Sequence, residues 1–398
     1  MILGGGIYQV PLIRKAKEMG LETLVVSIPG NYPGIPLADR FYDIDTRDHE
    51  KILETAEKEQ IHGICTSGTD LAVRGIGYVN TRLGLSGIGE EAAKLVTDKL
   101  LMKEAFRNGE VSTAAFEKVT SIKEAEEAAD KIGYPVMVKA VDSSGSRGIT
   151  KAEQKTQLEE AFQEAFQITK KEYVLVEEFI EAEEIGIDGF VGEKGLEAFY
   201  PHEKFTYSAL GHTVPVGHGF PLKRSEALMK ELRLQMEKAA KALGLKNCPF
   251  NADVFVKGNR AWVIEMGGRT GATCIPELIS IYTGEDWYEK ILRAALGEKP
   301  DFREKETHPC MAKLIFSPVD GKIKSIDEKG MEQLRQENMH CHLDYEPGQK
   351  IEAMKNGTDR IGHIYGAVSD EASMDRYVSR LRSCVTLEEG NLEDLWKK

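Results

Sequence analysis

Two carboxylates and an arginine in the second half of the chain could hold a metal beside an anionic substrate. They lie in Asn251-Ala-Asp253-Val-Phe-Val-Lys-Gly258-Asn259-Arg-Ala-Trp-Val-Ile-Glu265-Met-Gly-Gly-Arg269. Two β-rich runs flank a Gly-Asn turn, which reads as a hairpin. With a three-residue loop, Asp253 and Glu265 fall directly opposite each other on one face. Two facing carboxylates repel unless a cation sits between them. Mg²⁺, a hard ion that shares its shell with phosphates, is the natural choice, with Mn²⁺ as the alternative. The bland reading is a pair of exposed charges at a strand edge; the apolar Val254, Val263 and Ile264 around them, and Arg269 four residues on, speak against it.

A second stretch suits a polyphosphate. The apolar run Tyr134-Pro-Val-Met-Val-Lys139 leads into Asp142-Ser-Ser144-Gly145-Ser-Arg147-Gly148-Ile149. Gly145 and Gly148 tolerate unusual dihedrals, so backbone N–H groups can turn inward. Lys139 and Arg147 add charge-assisted contacts to phosphate oxygens. Read alone, the loop is equally well a hairpin with a basic tip. It is not a Walker A motif, since no Gly-Lys-Ser/Thr ends it. A further strand follows at 173–180, closing with Glu177-Glu178-Phe179-Ile180 and then Glu183-Glu184. An acidic run of this kind is ordinarily a solvated face.

These residues need scaffolding, and the chain has length for two or three domains in its 398 residues. Hydrophobic residues at 41% and charged residues at 29% describe an ordinary globular protein. A net charge of −13 argues against nucleic acid as a partner and means that an anion needs a local basic pocket. Lys139, Arg147 and Arg269 could make one. Six cysteines, with no C-x-x-C pair, fit reduced thiols in a cytoplasmic protein. His340-Cys341-His342 looks metal-like, but in an alternating strand it is more simply structural or surface. No run is apolar and long enough to span a membrane, and the start lacks a basic signal-peptide region, so no membrane association is expected.

The first hundred residues alternate strand and helix. A short strand, the glycine turn Gly4-Gly5-Gly6 and a helix over 10–19 open a doubly wound α/β unit, with strands expected at 21–27 and 63–67 and a helix at 48–59. A dinucleotide site is rejected, because Gln9 holds the third fingerprint position and Ser27 stands where an acid is needed. Thr97-Asp98-Lys99 opens another helix, Thr97 as N-cap and Asp98 in the first turn. The stretch 193–222 is strand-like and glycine-rich; its His202, Lys204, His212 and His218 are candidates for lining a pocket. Beyond about 302 the chain reads as strands at 311–316, 321–326 and 360–366 and a helix at 371–381.

In its order of Lys139, Ser/Gly loop, Glu177 to Glu184, Asp253, Glu265 and Arg269, the chain resembles the ATP-grasp superfamily, most closely in style the L-amino-acid ligase and carbamoyl phosphate synthetase-like branches. The resemblance implies an ATP-grasp fold at 97–301 with a lid at about 113–188. It also implies a pre-ATP-grasp α/β domain at 1–96 and a β-rich C-terminal domain at 302–398. It implies that Lys99, Lys139 and the loop residues Ser144, Gly145, Arg147 and Gly148 meet ATP phosphates. It further implies that Glu177, Phe179 and Ile180 form the adenine hinge, and that Glu184 holds the ribose. Asp253 and Glu265 would carry Mg²⁺, and Arg269 would bind a substrate carboxylate or its acyl phosphate. Two departures stand out: Ala182 replaces a common glycine, and Gly267 replaces the asparagine that usually adds a metal contact. The implied reaction joins a small-molecule carboxylate to an amine, and the resemblance allows a homodimer. The alternatives are a biotin- or bicarbonate-type carboxylase, whose bicarbonate residues are not recognisable here, and a non-catalytic ATP-binding module.

Overall fold

A computed structural model describes residues 1–142, 148–209, 212–303, 307–355 and 359–397, with backbone only at 209, 212 and 213. The fold is mixed α/β, and the chain divides into two compact units. The first comprises Met1–Phe199, Lys223–Gly271 and Tyr288–Phe302; the second comprises Tyr200–Leu222, Ala272–Trp287 and Arg303–Lys398.

The first unit begins with three parallel strands in the order Ile2–Leu3, Leu24–Ser27, Arg40–Asp43. The expected strand at 63–67 is a correction: it contributes a single parallel bridge, Ile2 to Cys65, and the third strand is Arg40–Asp43 instead. The reason is visible in its burial. Arg40, Phe41 and Asp43 are exposed, so this strand lacks the apolar run that would announce it. The helices Val10–Glu18 and His49–Lys58 bury one face each, through Leu12, Ile13 and Ala16 and through Ile52 and Ala56. Asp48 caps the latter by accepting from the Lys51 N–H.

The glycine turn is closed from within. Gly6 N–H donates to Gln9 Oε1 at 2.8 Å, and the Gln9 amide donates to the Ser67 carbonyl. A side chain of the turn itself therefore occupies the Gly6 donor.

Two further sheets follow in this unit. One is four-stranded and antiparallel, in the order Phe116–Val119, Val174–Glu178, Val136–Lys139, Ile149–Ala152. Val119, Val136, Val138, Ala152, Val174 and Val176 on one face pack against alanines and leucine from the helices Ile122–Ile132 and Lys155–Ile168. The other sheet pairs Glu183–Gly192 with Cys248–Lys257 and the latter with Arg260–Gly267. Thr97 does not cap the helix Lys99–Asn108: Asp98 does, accepting from the N–H groups of Leu100 and Leu101. Thr97 ends the preceding helix, Glu90–Val96, with its hydroxyl on the Ala93 carbonyl.

In the second unit, Gly195–Ala209 (from Tyr200 on), His212–Phe220, Cys310–Ile315, Gly362–Ala367 and His340–Leu343 form consecutive antiparallel neighbours. The helices Glu371–Ser383 and Glu328–Gln336 bury Met374, Val378, Leu381, Met331 and Leu334 with the sheet residues Ile315, Cys341 and Ile364. All six cysteines are unbonded and buried. Among the described residues no helix is long and apolar enough to cross a membrane.

Candidate active site

Strand periodicity sorts the chemistry onto one face of each sheet in the first unit. In the four-stranded sheet, Met137 pairs with both Glu177 and Lys151, and Lys139 pairs with Leu175. Lys139, Lys151 and Glu177 thus share the face opposite the valine core. Glu177 is only 2% exposed, and its carboxylate is held between two ammonium groups, those of Lys139 and Lys103. Burial alone would raise its carboxyl; Lys139 and Lys103 outweigh that and bring it down to about 2. The Glu177 side chain is therefore turned into the protein, where the two lysines compensate its charge. The strand ends at Glu178, and Phe179-Ile180 continue outside the ladder. The N–H of Glu178 is taken by the Ala115 carbonyl (2.8 Å) and that of Phe179 by the Pro135 carbonyl (3.3 Å). Lys151 lies 3.8 Å above the centre of the Phe179 ring, a cation–π contact.

In the second sheet, Glu184, Gly186 and Asp188 pair with Phe255, Asp253 and Asn251, and Asp253 and Asn251 pair in turn with Glu265 and Gly267. Residues facing each other across a ladder share a side of the sheet, so Glu184, Asp188, Asn251, Asp253 and Glu265 form one polar face. Its reverse is the apolar Ile185, Ile187, Ala252, Val254 and Met266. The facing of Asp253 and Glu265 agrees with expectation, but its cause differs. The turn has two residues, Gly258 and Asn259, since Lys257 pairs with Arg260. That register alone would put Asp253 opposite Ile264; an irregularity between Asp253 and Val254 leaves Ile264 as the extra residue and restores Glu265 to the facing position. The donor set of two carboxylate oxygens on one strand pair suits a hard divalent cation completed by other oxygens. Among the described residues no group of three or more His, Cys, Asp or Glu is arranged to hold a metal.

Arg269 closes this face. Its Nη2 donates to Asp70 Oδ2 at 2.7 Å and its Nη1 to Asn251 Oδ1 at 2.8 Å. Asn251 Nδ2 in turn donates to Asp188 Oδ2 at 2.7 Å, and Asp188, wholly buried, also accepts from the Gly271 N–H at 2.8 Å. Burial disfavours the guanidinium charge; Asp70, with Asp188 and Glu265 nearby, outweighs it and holds Arg269 protonated. Gly267 has a local reason: a Cβ there would come 3.0 Å from Asp70 Oδ1. A side chain at 267 would have to shift the half-exposed Asp70 carboxylate slightly.

The remaining expected residues are placed as follows. Lys99 is half-buried at the first position of its helix, and Glu184 is half-buried on the polar face. Glu183 is an ion-pair partner of Arg224. Gly148 adopts φ +67°, a left-handed conformation, and a Cβ there would meet that of Ala140 at 2.9 Å. Ser144, Gly145 and Arg147 lie outside the described residues, as does the side chain of His212. His202 and His218 are both buried in the second unit, ring against ring at 4.8 Å, and burial drives His218 well below its ordinary pKa. His340 and His342 are exposed on either side of the buried Cys341, as a surface strand requires.

Four residues were not anticipated: Lys103, Asp188, Asn251 and Asp70. Lys103 had a signal, because it falls on the apolar stripe of its helix with Leu100 and Phe106. Asp188 and Asn251 had a weaker one, as polar residues spaced by an even number from Glu184 and Asp253.

Comparison with known proteins agrees with this fold. Residues 132–277 match the ATP-grasp domain family. The crystal structure of a phosphoribosylglycinamide synthetase from Anaerococcus prevotii superposes with a TM-score of 0.82 at 30% identity, over 97% of this chain and 98% of that one. An L-amino acid ligase from Bacillus licheniformis shares the fold, with a TM-score of 0.80 at 18% identity and 97% of each chain covered. A formate-dependent phosphoribosylglycinamide formyltransferase from Rhodococcus jostii is 26% identical over 337 residues, 80% of each chain.

Proposed function

Since this chain belongs to the ATP-grasp superfamily and is an ATP-dependent ligase forming carbon–nitrogen bonds, we propose that it joins a carboxylate to an amine through an acyl phosphate. The observation that carries the reading is the polar face of Glu184, Asp188, Asn251, Asp253 and Glu265, ended by Arg269. Its parts suit the two halves of such a reaction, a nucleotide on one side and a carboxylate on the other.

We assign nucleotide binding to the segment 97–301, with 113–188 as its lid. Lys139, Lys99 and the loop 142–149, including Ser144, Gly145, Arg147 and Gly148, are assigned to the phosphates. For the base we assign the carbonyl of Glu178 and the N–H of Ile180, because the N–H groups of Glu178 and Phe179 are already used. Glu184 is assigned to the ribose. Asp253 and Glu265 are the residues that would hold Mg²⁺, or Mn²⁺. When bound there, the metal supplies charge neutralisation for the transferring phosphoryl group.

The chain's own contribution is positioning and charge. A substrate carboxylate takes the outer nitrogen of Arg269, displacing Asp70. One of its oxygens attacks the γ-phosphorus, and ADP leaves. The amine attacks the carbonyl carbon of the acyl phosphate, loses a proton, and phosphate departs to leave an amide. The planar guanidinium fits both the carboxylate and its phosphorylated form. The relatives' activities fit the scheme: formate is a carboxylate, and phosphoribosylglycinamide carries an amine.

The test is ADP release with paired panels of carboxylates (formate, free amino acids) and amines (amino acids, phosphoribosylglycinamide). Release requiring one of each, with a hydroxamate forming when hydroxylamine replaces the amine, is the expected result. Release driven by bicarbonate alone would replace this reading with a carboxylase.

A further inference from the structure

Lys103 lies where lysines are rarely left. It is 4% exposed, among Leu100, Met102 and Phe106 on the inner side of its helix. Its ammonium pairs with Glu177 Oε1 and donates to Thr113 Oγ1 at 2.6 Å. Glu177 meets Lys139 through its other oxygen, a second ion pair. Two positive charges and one negative charge are therefore in contact, Lys103 and Glu177 buried and Lys139 partly exposed, for a net charge of +1 among the three.

The arithmetic of that cluster matters. A buried carboxylate facing one lysine makes a neutral pair, and that lysine then offers little to a third group. Facing two lysines, it compensates neither fully. Lys139 has the more exposed side chain, 17% against 5% for Lys103, and it ends the strand Val136–Lys139. The uncompensated charge thus surfaces at Lys139. Burial pulls the Lys103 ammonium below its ordinary pKa, with Glu177 working against that. Thr113 is a neutral acceptor for the Lys103 ammonium, and its own hydroxyl donates to the Val263 carbonyl at 2.7 Å.

We propose that Lys103 is a positioning residue acting through Glu177: it draws part of the carboxylate away from Lys139, so that Lys139 presents net positive charge to a nucleoside triphosphate that Lys103 itself does not touch. The proposal rests on the reading of Lys139 as a phosphate ligand.

Calorimetric titration with Mg-ATP on the full chain, alongside melting temperatures, tests it. Lys103→Met leaves a neutral Lys139–Glu177 pair, and its ATP Kd should rise roughly tenfold, as expected for a change of about one pKa unit's worth of interaction. The double variant Lys103→Met/Glu177→Gln removes one charge of each sign and returns the cluster to +1. Its Kd should come back to within about threefold of the unmodified protein, a non-additivity that contacting charges allow. A double variant as weak as Lys103→Met would mean that Lys103 touches the nucleotide. A Lys103→Met protein that melts earlier yet binds ATP normally would make the triad structural. Either result overturns the proposal. Thr113→Val alters no charge and should keep ATP affinity; a loss matching that of Lys103→Met would also overturn it, and this variant serves if the charge variants do not fold. Lys139→Met separates the two readings: normal ATP binding there removes Lys139 from the phosphate site, whereas weakened binding with no rescue in the double variant removes only the role of Lys103.

Discussion

Asp253 faces Glu265 across two antiparallel strands because Ile264 is an extra residue in the ladder between them. The two-residue turn at Gly258-Asn259 would otherwise set Ile264 opposite Asp253, and only one carboxylate would remain on the polar face. Bulges of this kind re-aim side chains at functional sites. Replacing Asp253 by Asn or Glu265 by Gln should lower magnesium-dependent turnover more than about a hundredfold while leaving the fold intact, since stabilisation of phosphoryl charge is a large term. Steady-state ADP release across a magnesium titration checks this; near-normal activity in both variants would remove the pair from the metal site.

Arg269 spends its two terminal nitrogens on different partners, Asp70 and Asn251, and this needs a fork. Lysine keeps the charge and loses the geometry. Arg269→Lys should bind ATP almost as before, with carboxylate-dependent turnover reduced roughly tenfold to a thousandfold, or about 1.4 to 4 kcal/mol. A variant that melts earlier but turns over normally would make the arginine a structural tie between Asp70 and Asn251.

The Glu177 carboxyl is held at about 2, against 4.5 for the unperturbed group. A folded-state value below the unfolded one means stability that is present above pH 4.5 and lost as pH falls through about 2. Glu177→Gln should therefore destabilise the protein at neutral pH by roughly 3 kcal/mol, since it leaves the buried Lys103 and the partly buried Lys139 without a counter-charge. The difference from the unmodified protein should hold down to about pH 4.5 and shrink below it. Urea unfolding at several pH values measures this, and a difference that grows on acidification would contradict the assignment.

Adenine and guanine present opposite donor and acceptor patterns at the edge that a carbonyl and an N–H two residues apart would read. With the Glu178 carbonyl and the Ile180 N–H as that pair, ATP should support turnover at least about tenfold better than GTP, each mismatched hydrogen bond costing on the order of 1 to 3 kcal/mol. Equal rates would show that the base is read elsewhere.

The sequence made some of this arrangement legible and hid the rest for physical reasons. A three-residue turn predicts Asp253 opposite Glu265; the turn has two residues and the extra Ile264 supplies the missing offset, so the facing stands for a reason that alternation, which breaks at Ile264-Glu265, does not show. Lys139 was plain, at the end of an apolar run. Asp70 was not, for it meets Arg269 from 199 positions away in the chain, a distance no local pattern spans. Asp188 was hidden because its strand is buried on both faces from Ile185 to Gly192, which erases alternation. The strand Arg40–Asp43 was missed for the opposite reason, being too exposed to carry an apolar signal.

The strand Arg260–Gly267 is the outermost of its sheet, and an outermost strand offers its free backbone to any passing chain. Here the Val263 N–H is taken by the Ser112 carbonyl at 2.8 Å, and the Val263 carbonyl by the Thr113 hydroxyl. Two residues of a connecting segment thus act as a short guard rail, pairing the rim just before the bulge that turns Glu265 into place. The strand that carries Glu265 is thereby also shielded, at Val263, against recruiting a foreign strand.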